Sequence, residues 1–221
     1  MNQQTLTVKG IGRESLKPDQ ILITCTFSAN DTDYAALTSL EAEKLEELTK
    51  ALEKIGFDKD NIKTSSFNIG TDYENYQTEE RVWKRRFVGY SLNHGLSFVF
   101  DYDMKLLNKV INALSTCDKA DPSFNIGFTV KDKESASDRL IQKAVKDAQR
   151  KALSIAQAAG VSLGEIQSIC FDNDEAVFAS PSSLSRSAGG AELYRGAAEI
   201  DITPDDVVSE MSVTVVWVIE N

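Results

Sequence analysis

The chain has 221 residues, 42% hydrophobic and 26% charged, with a formal net charge of −10 and an isoelectric point near 4.7. That length and balance suit a soluble globular protein with a substantial core, and they exclude wholesale disorder and fibrous classes. An acidic surface repels polyanions, so nucleic acid is not an expected partner, and no apolar run approaches the twenty or so residues needed to cross a bilayer.

The first residues enter strand-like alternation without a basic region followed by an apolar one, which predicts a cytoplasmic protein for the chain as given. A periplasmic or envelope location is the alternative, should an export signal have preceded it. Residues 5–11, with Leu6 and Val8 in phase, are expected to pair as a hairpin with the next strand across Lys17-Pro18-Asp19. That next strand covers 21–27, where Ile21, Ile23, Cys25 and Phe27 alternate with smaller or more polar residues.

From Asp33 the period lengthens, and Tyr34, Leu37, Leu40, Leu45, Leu48, Leu52 and Ile55 form one stripe of a long helix. Asp31 or Thr32 is placed to cap its start, and Gly56 to end it in a left-handed conformation. Strands are predicted over 61–73 and 87–100, separated by a mobile polar hairpin tip. Within that tip, Arg81-Val82-Trp83-Lys84-Arg85-Arg86 has the basic and aromatic mixture of some single-strand-binding surfaces, but in an acidic chain it reads as a solvated hairpin arm.

Asp103 precedes a shorter helix carrying Leu106, Leu107, Val110, Ile111 and Leu114, and a strand with Phe124, Ile126, Phe128 and Val130 follows. A second long helix is predicted over 134–159, with Leu140, Ile141, Ala144, Val145, Ala148, Ala152, Ile155 and Ala159 on one side and Gly160 at its end. The last strands are expected at 166–171 and 207–219, with a flexible Ser-, Ala- and Gly-rich loop over 179–198 between them.

Gly56 precedes Ile62, and Gly160 precedes Ile166, by the same interval after a long helix, which brings Phe67 and Phe171 into register. This echo predicts a duplicated strand-helix-strand unit. The fold class expected is α+β: antiparallel sheet with two long amphipathic helices and one shorter helix packed on it. It forms one domain over 1–221, possibly two interlocked halves of about 1–100 and 101–221.

The order of these elements and several segments resemble the SIMPL-domain family, which includes bacterial YggE-like proteins, periplasmic immunogenic proteins and a eukaryotic kinase-associated signalling protein. The resemblance runs from Val8-Lys9-Gly10-Ile11-Gly12 and Lys17-Pro18-Asp19, through Ile62-Lys63-Thr64-Ser65 and Gly89-Tyr90, to the helix from Ala148 to Ala152 that ends in Gly160-Val161-Ser162-Leu163-Gly164. Ile202-Thr203-Pro204 and Val213 to Trp217 complete it, although Asp205 stands where a Gly is usual. The resemblance implies helices on antiparallel sheet, a tendency to form homo-oligomers or bind a protein partner, and a loose link to stress response or signalling. It implies no family-wide catalytic residue or cofactor.

The residues themselves lead to the same expectation: no catalytic, cofactor-binding or metal-binding residue is assigned, and no enzymatic activity is predicted. His94 is the only histidine, so any imidazole mechanism must use it, but its place in the apolar phase of a strand favours a structural role satisfied by backbone or a neighbouring hydroxyl. Glu79-Glu80, Asp205-Asp206 and Asp172 with Asp174 read as solvated acids among 34. Gly10 and Gly12 lack the third glycine and the following helix of a nucleotide-binding loop. Cys25, Cys117 and Cys170 show no metal or disulfide spacing and are expected to be buried free thiols.

Two functions follow. The leading one is a non-enzymatic module working through self-association or partner capture; the alternative is a small-ligand binder or enzyme using a cleft between the halves, with His94, Tyr90 and nearby carboxylates as polar groups.

Overall fold

A computed structural model describes residues 4–171, 176–187 and 201–220. In chain order the elements are β1 (Thr5–Leu16), β2 (Gln20–Asp31), α1 (Tyr34–Glu53), a 3-10 turn (Lys59–Asn61), β3 (Lys63–Gln77), β4 (Trp83–Asp101), α2 (Met104–Ser115), β5 (Ser123–Thr129), α3 (Lys133–Ala159), β6 (Ser162–Phe171), β7 (Ser183–Arg186) and β8 (Val207–Glu220). The strands form two sheets, ordered β1-β8-β6 and β3-β4-β2-β5-β7, so the class is α+β as expected.

Two compact units emerge, and neither is a sequential half. One comprises Met1–Asp19, Phe128–Ser182 and Pro204–Asn221; the other comprises Gln20–Gly127 and Ser183–Thr203.

In the first unit α3 lies on β1 and β8. Its buried face is a row of small residues, Ala136, Ala144, Ala148, Ala152 and Ala156, with Leu140 among them, while the predicted stripe members Val145 and Ile155 are exposed. Ala144, Ala148 and Ala152 meet Val8, Val213, Val215 and Trp217 in one cluster. Gly10 and Gly12 complete this approach: a Cβ on Gly12 would lie 2.0 Å from the Leu140 carbonyl oxygen. Gly160 ends the helix at φ 72°, as its position predicts.

β1 does not pair with β2. It runs antiparallel to β8 from Thr5↔Val218 to Leu16↔Val207. The Lys17-Pro18-Asp19 link closes no hairpin, because the Asp19 backbone N–H donates to the Thr129 carbonyl at 3.1 Å and its carboxylate accepts from the Lys131 N–H at 2.7 Å.

In the second unit β2 and β4 pair from Gln20↔Asp101 to Asp31↔Tyr90, and β3 adds to the far side of β4. Ile21, Ile23, Cys25 and Phe27 are buried in phase with Leu92, Leu96 and Phe98. Helix α1 buries Leu37, Leu48 and Leu52. Its cap is Asp33, whose side chain accepts from the Ala36 N–H; Asp31 acts one step earlier, accepting from the Asp33 N–H at 2.9 Å. Gly56 takes φ 102°, and the Phe57 N–H reaches back to the Leu52 carbonyl.

The duplicated plan does not extend to connectivity. β2 and β3 flank β4 in one sheet, whereas β5 and β6 lie in different sheets. Within the expected 179–198 loop, residues 183–186 form β7, which pairs with β5 from Phe124↔Arg186 to Gly127↔Ser183. Arg186 anchors that strand: it is buried, pairs with Asp121 at 3.1 Å and donates to the Pro122 carbonyl. Residues 188–198 lie outside those described.

Candidate functional site

Two features of the second unit stand out against its packing. The first is an arm. β2 ends opposite Tyr90, but β3 and β4 continue as a two-stranded ribbon from Asp72↔Gly89 to Gln77↔Trp83. Thr78 and Val82 close it, with Arg81 at φ 59° in the turn. The expected polar tip is therefore largely strand. Gly89 is required where the ribbon leaves the sheet, since it holds φ 155° and a Cβ there would lie 2.7 Å from the Asp31 carbonyl oxygen.

All fifteen residues of β3 are exposed, and among the described residues β3 is an edge strand. Its exposed apolar side chains continue onto β4. Tyr34, Tyr90, Phe87 and Tyr73 form a ladder with successive ring centroids 5.6, 5.1 and 5.9 Å apart, and the Arg85 guanidinium lies 4.6 Å above Tyr73. Trp83 is 68% exposed at the start of β4, where apolar ring surface left in water carries a solvation cost. The arm also carries Arg81, Lys84, Arg85 and Arg86, a basic cluster in a chain of net charge −10; Arg86 pairs with Glu74 across the ribbon.

The second feature is the surroundings of His94. The ring is buried on β4 between Phe27 and Phe67, with centroids at 5.2 and 5.0 Å. Nδ1 lies 2.8 Å from Glu41 Oε1 on α1, and Nε2 lies 3.0 Å from the Thr64 hydroxyl on β3. A neighbouring hydroxyl was anticipated from the sequence; the helix carboxylate was not, because Glu41 lies on the Glu-rich side of α1 among residues that read as solvated. A bulge between Thr64 and Ser66 breaks the β3–β4 register here and turns the Ser65 and Ser66 hydroxyls toward Gly95, where a Cβ would stand 2.8 and 2.4 Å from them. A groove of about 320 Å³ starts at Glu41 and follows α1 past Ala42, Leu45 and Thr49 to Lys59.

The other residues singled out from sequence are scattered. Tyr90 belongs to the aromatic ladder and does not bond His94. Glu79 and Glu80 lie in the arm's turn. Asp205 and Asp206 each serve a serine, accepting from the Ser182 and Ser15 hydroxyls at 3.2 and 2.7 Å. Asp172 and Asp174 lie outside the described residues. Among the described residues, no three His, Cys, Asp or Glu side chains gather as a metal site would need, and no helix is long and apolar enough to cross a membrane.

Cys25 and Cys117 are buried, but Cys170 is exposed, contrary to expectation, because it lies in the part of β6, Glu165 to Phe171, that is exposed on both faces. Burial, with Glu47 and Asp118 adding to it at Cys117, pushes both buried thiols up to about 12.

Compared with known protein families, the chain matches the SIMPL family model, described as a protein of unknown function (DUF541), over residues 6–217. No curated protein matches it.

Proposed function

The chain belongs to the SIMPL family, and we propose that it works by association, with further copies of itself as the first partner. The observation that carries this reading is the edge strand β3, fifteen residues all exposed, which runs on into the arm with its aromatic ladder and Trp83. An edge strand presents a row of backbone N–H and C=O groups without strand partners, and natural sheets usually blunt such edges with charge or proline. Here β3 carries only Lys63, Asp72 and Glu74 as charged residues along its length.

The arm's basic cluster favours an acidic counterpart, and a chain of net charge −10 supplies one in its own copies. Association of this kind needs no catalytic group; shape, strand edges and aromatic faces are its working parts. The family resemblance supports placing such assemblies in stress response or signalling.

Sedimentation velocity across a wide concentration range tests the reading. The expected result is a species whose mass is a multiple of 24.4 kDa and whose population grows with concentration. A single monomeric boundary throughout would remove it.

A further inference from the structure

Glu41, His94 and Thr64 come from three separate elements, yet their polar atoms make one continuous chain. An ionised carboxylate only accepts hydrogen bonds, so in the neutral ring Nδ1 carries the proton and donates to Glu41. Nε2 is then the acceptor, and the Thr64 O–H donates to it. This is the tautomer in which an imidazole can remove a proton from an attacking hydroxyl while the carboxylate orients the ring and stabilises its charged form.

Burial gives the chain a direction. The His94 and Glu41 side chains are 5% and 15% exposed, whereas Thr64 lies on the open strand β3. The base and its orienting group are thus withdrawn from water, and Thr64, on the exposed strand, is the member of the three nearest to solvent, its hydroxyl part-buried against His94. Phe27 and Phe67 fix the ring from both sides. The groove of about 320 Å³ along α1 meets these three residues only at Glu41, so a small ester would be held at the exposed strand, with the groove receiving at most its far end. Among the described residues β3 is an edge strand, and outward backbone N–H groups of such an edge are the donors a developing oxyanion would use.

We propose that this is an acyl-transfer site for small carboxylic esters, with Thr64 as nucleophile, His94 as general base and then acid, and Glu41 as a positioning residue. Thr64 Oγ1 forms a bond to the ester carbonyl carbon as its proton passes to His94 Nε2. The tetrahedral adduct expels the alkoxide, which takes that proton and leaves as the alcohol. Water then attacks the acyl-threonine by the same route, releasing the carboxylic acid and restoring the hydroxyl, with no change of oxidation state. This activity goes beyond the association reading, and neither rests on the other.

The test uses the purified full chain with p-nitrophenyl acetate and a fluorophosphonate probe, the labelled residue being located by peptide mass spectrometry. The expected outcome is label on Thr64, loss of both label and hydrolysis in T64A, and retention of both in T64S. H94Q lowers turnover by about a hundredfold or more, and E41Q lowers kcat with KM little changed. Circular dichroism melting accompanies each variant; if H94Q fails to fold, the exposed-site pair T64A and T64S decides alone. Folded wild-type protein that leaves the probe unreacted and hydrolyses ester no faster than T64A overturns the proposal, as does label on any other residue.

Discussion

Gly10 on β1 lies so close to Ala144 on α3 that a Cβ at Gly10 would sit 2.0 Å from the Ala144 carbonyl oxygen and 2.5 Å from the Ala148 backbone nitrogen. The obstructing atoms are helix backbone, which cannot rotate aside as a side chain would. The glycine pair near the start of the chain is therefore a packing device. Its role is to let a helix of alanines approach a strand, and nothing in it cradles a phosphate.

G10A is accordingly expected to destabilise the first unit by about 3 kcal/mol or more, through overpacking against backbone. Urea denaturation followed by circular dichroism measures this. G160A supplies a comparison: open space surrounds Gly160, so only its positive φ opposes the substitution, and the expected loss is about 1 kcal/mol.

Asp147 makes the polar counterpart of that packing. Its carboxylate accepts from the Ile11 N–H at 3.0 Å and pairs with Arg150 and Lys151 at 2.7 Å each. The Lys151 hydrogen bond, the Ile11 N–H and Arg150 together hold its pKa well below the usual carboxylate range. A depressed folded-state pKa gives stability that is complete above the unfolded-state value, near 4, and is lost as pH falls below it. The site is near the surface, so D147N is expected to cost only about 1 kcal/mol at neutral pH. Denaturation series at several pH values should show the gap between wild type and D147N closing below pH about 4.

The three cysteines divide by environment. Cys25 and Cys117, raised to about 12, carry almost no thiolate at pH 8, and both are buried; Cys170 is exposed. Titration with a disulfide reagent at that pH should consume one thiol per native chain, and C170S should abolish this reaction. All three thiols should react after unfolding in guanidinium.

The arm makes the opposite prediction from Gly10. Trp83 and Phe87 are exposed, so W83A and F87A remove little buried surface from the isolated fold and should leave its unfolding free energy within about 0.5 kcal/mol of wild type. Monomeric protein at low concentration, unfolded in urea, provides the measurement.

Local signals made the helices and most strands legible. Asp103 and Gly160 mark helix ends through capping that involves only nearby residues, and Ile21 to Phe27 declares its buried face by alternation alone. Long-range pairing was not legible: β1 prefers β8, near the other end of the sequence, over the strand that follows it, and nothing within 5–16 encodes that choice locally. The relay was hidden for a similar reason. Glu41, Thr64 and His94 meet only when α1, β3 and β4 assemble, and the sequence around Glu41 is an ordinary charged helix face. Asp33 in place of Asp31 or Thr32 as the α1 cap shows the usual ambiguity of one or two residues where several capping residues adjoin.

Light scattering of the W83A/F87A double variant beside wild type tests most directly whether the exposed ribbon of β3 and β4 is an interface. Wild type at high concentration should give a mass several times 24.4 kDa, and the variant should fall to that value while retaining its circular dichroism spectrum. Equal masses for the two proteins, whether both assembled or both monomeric, would contradict an interface there.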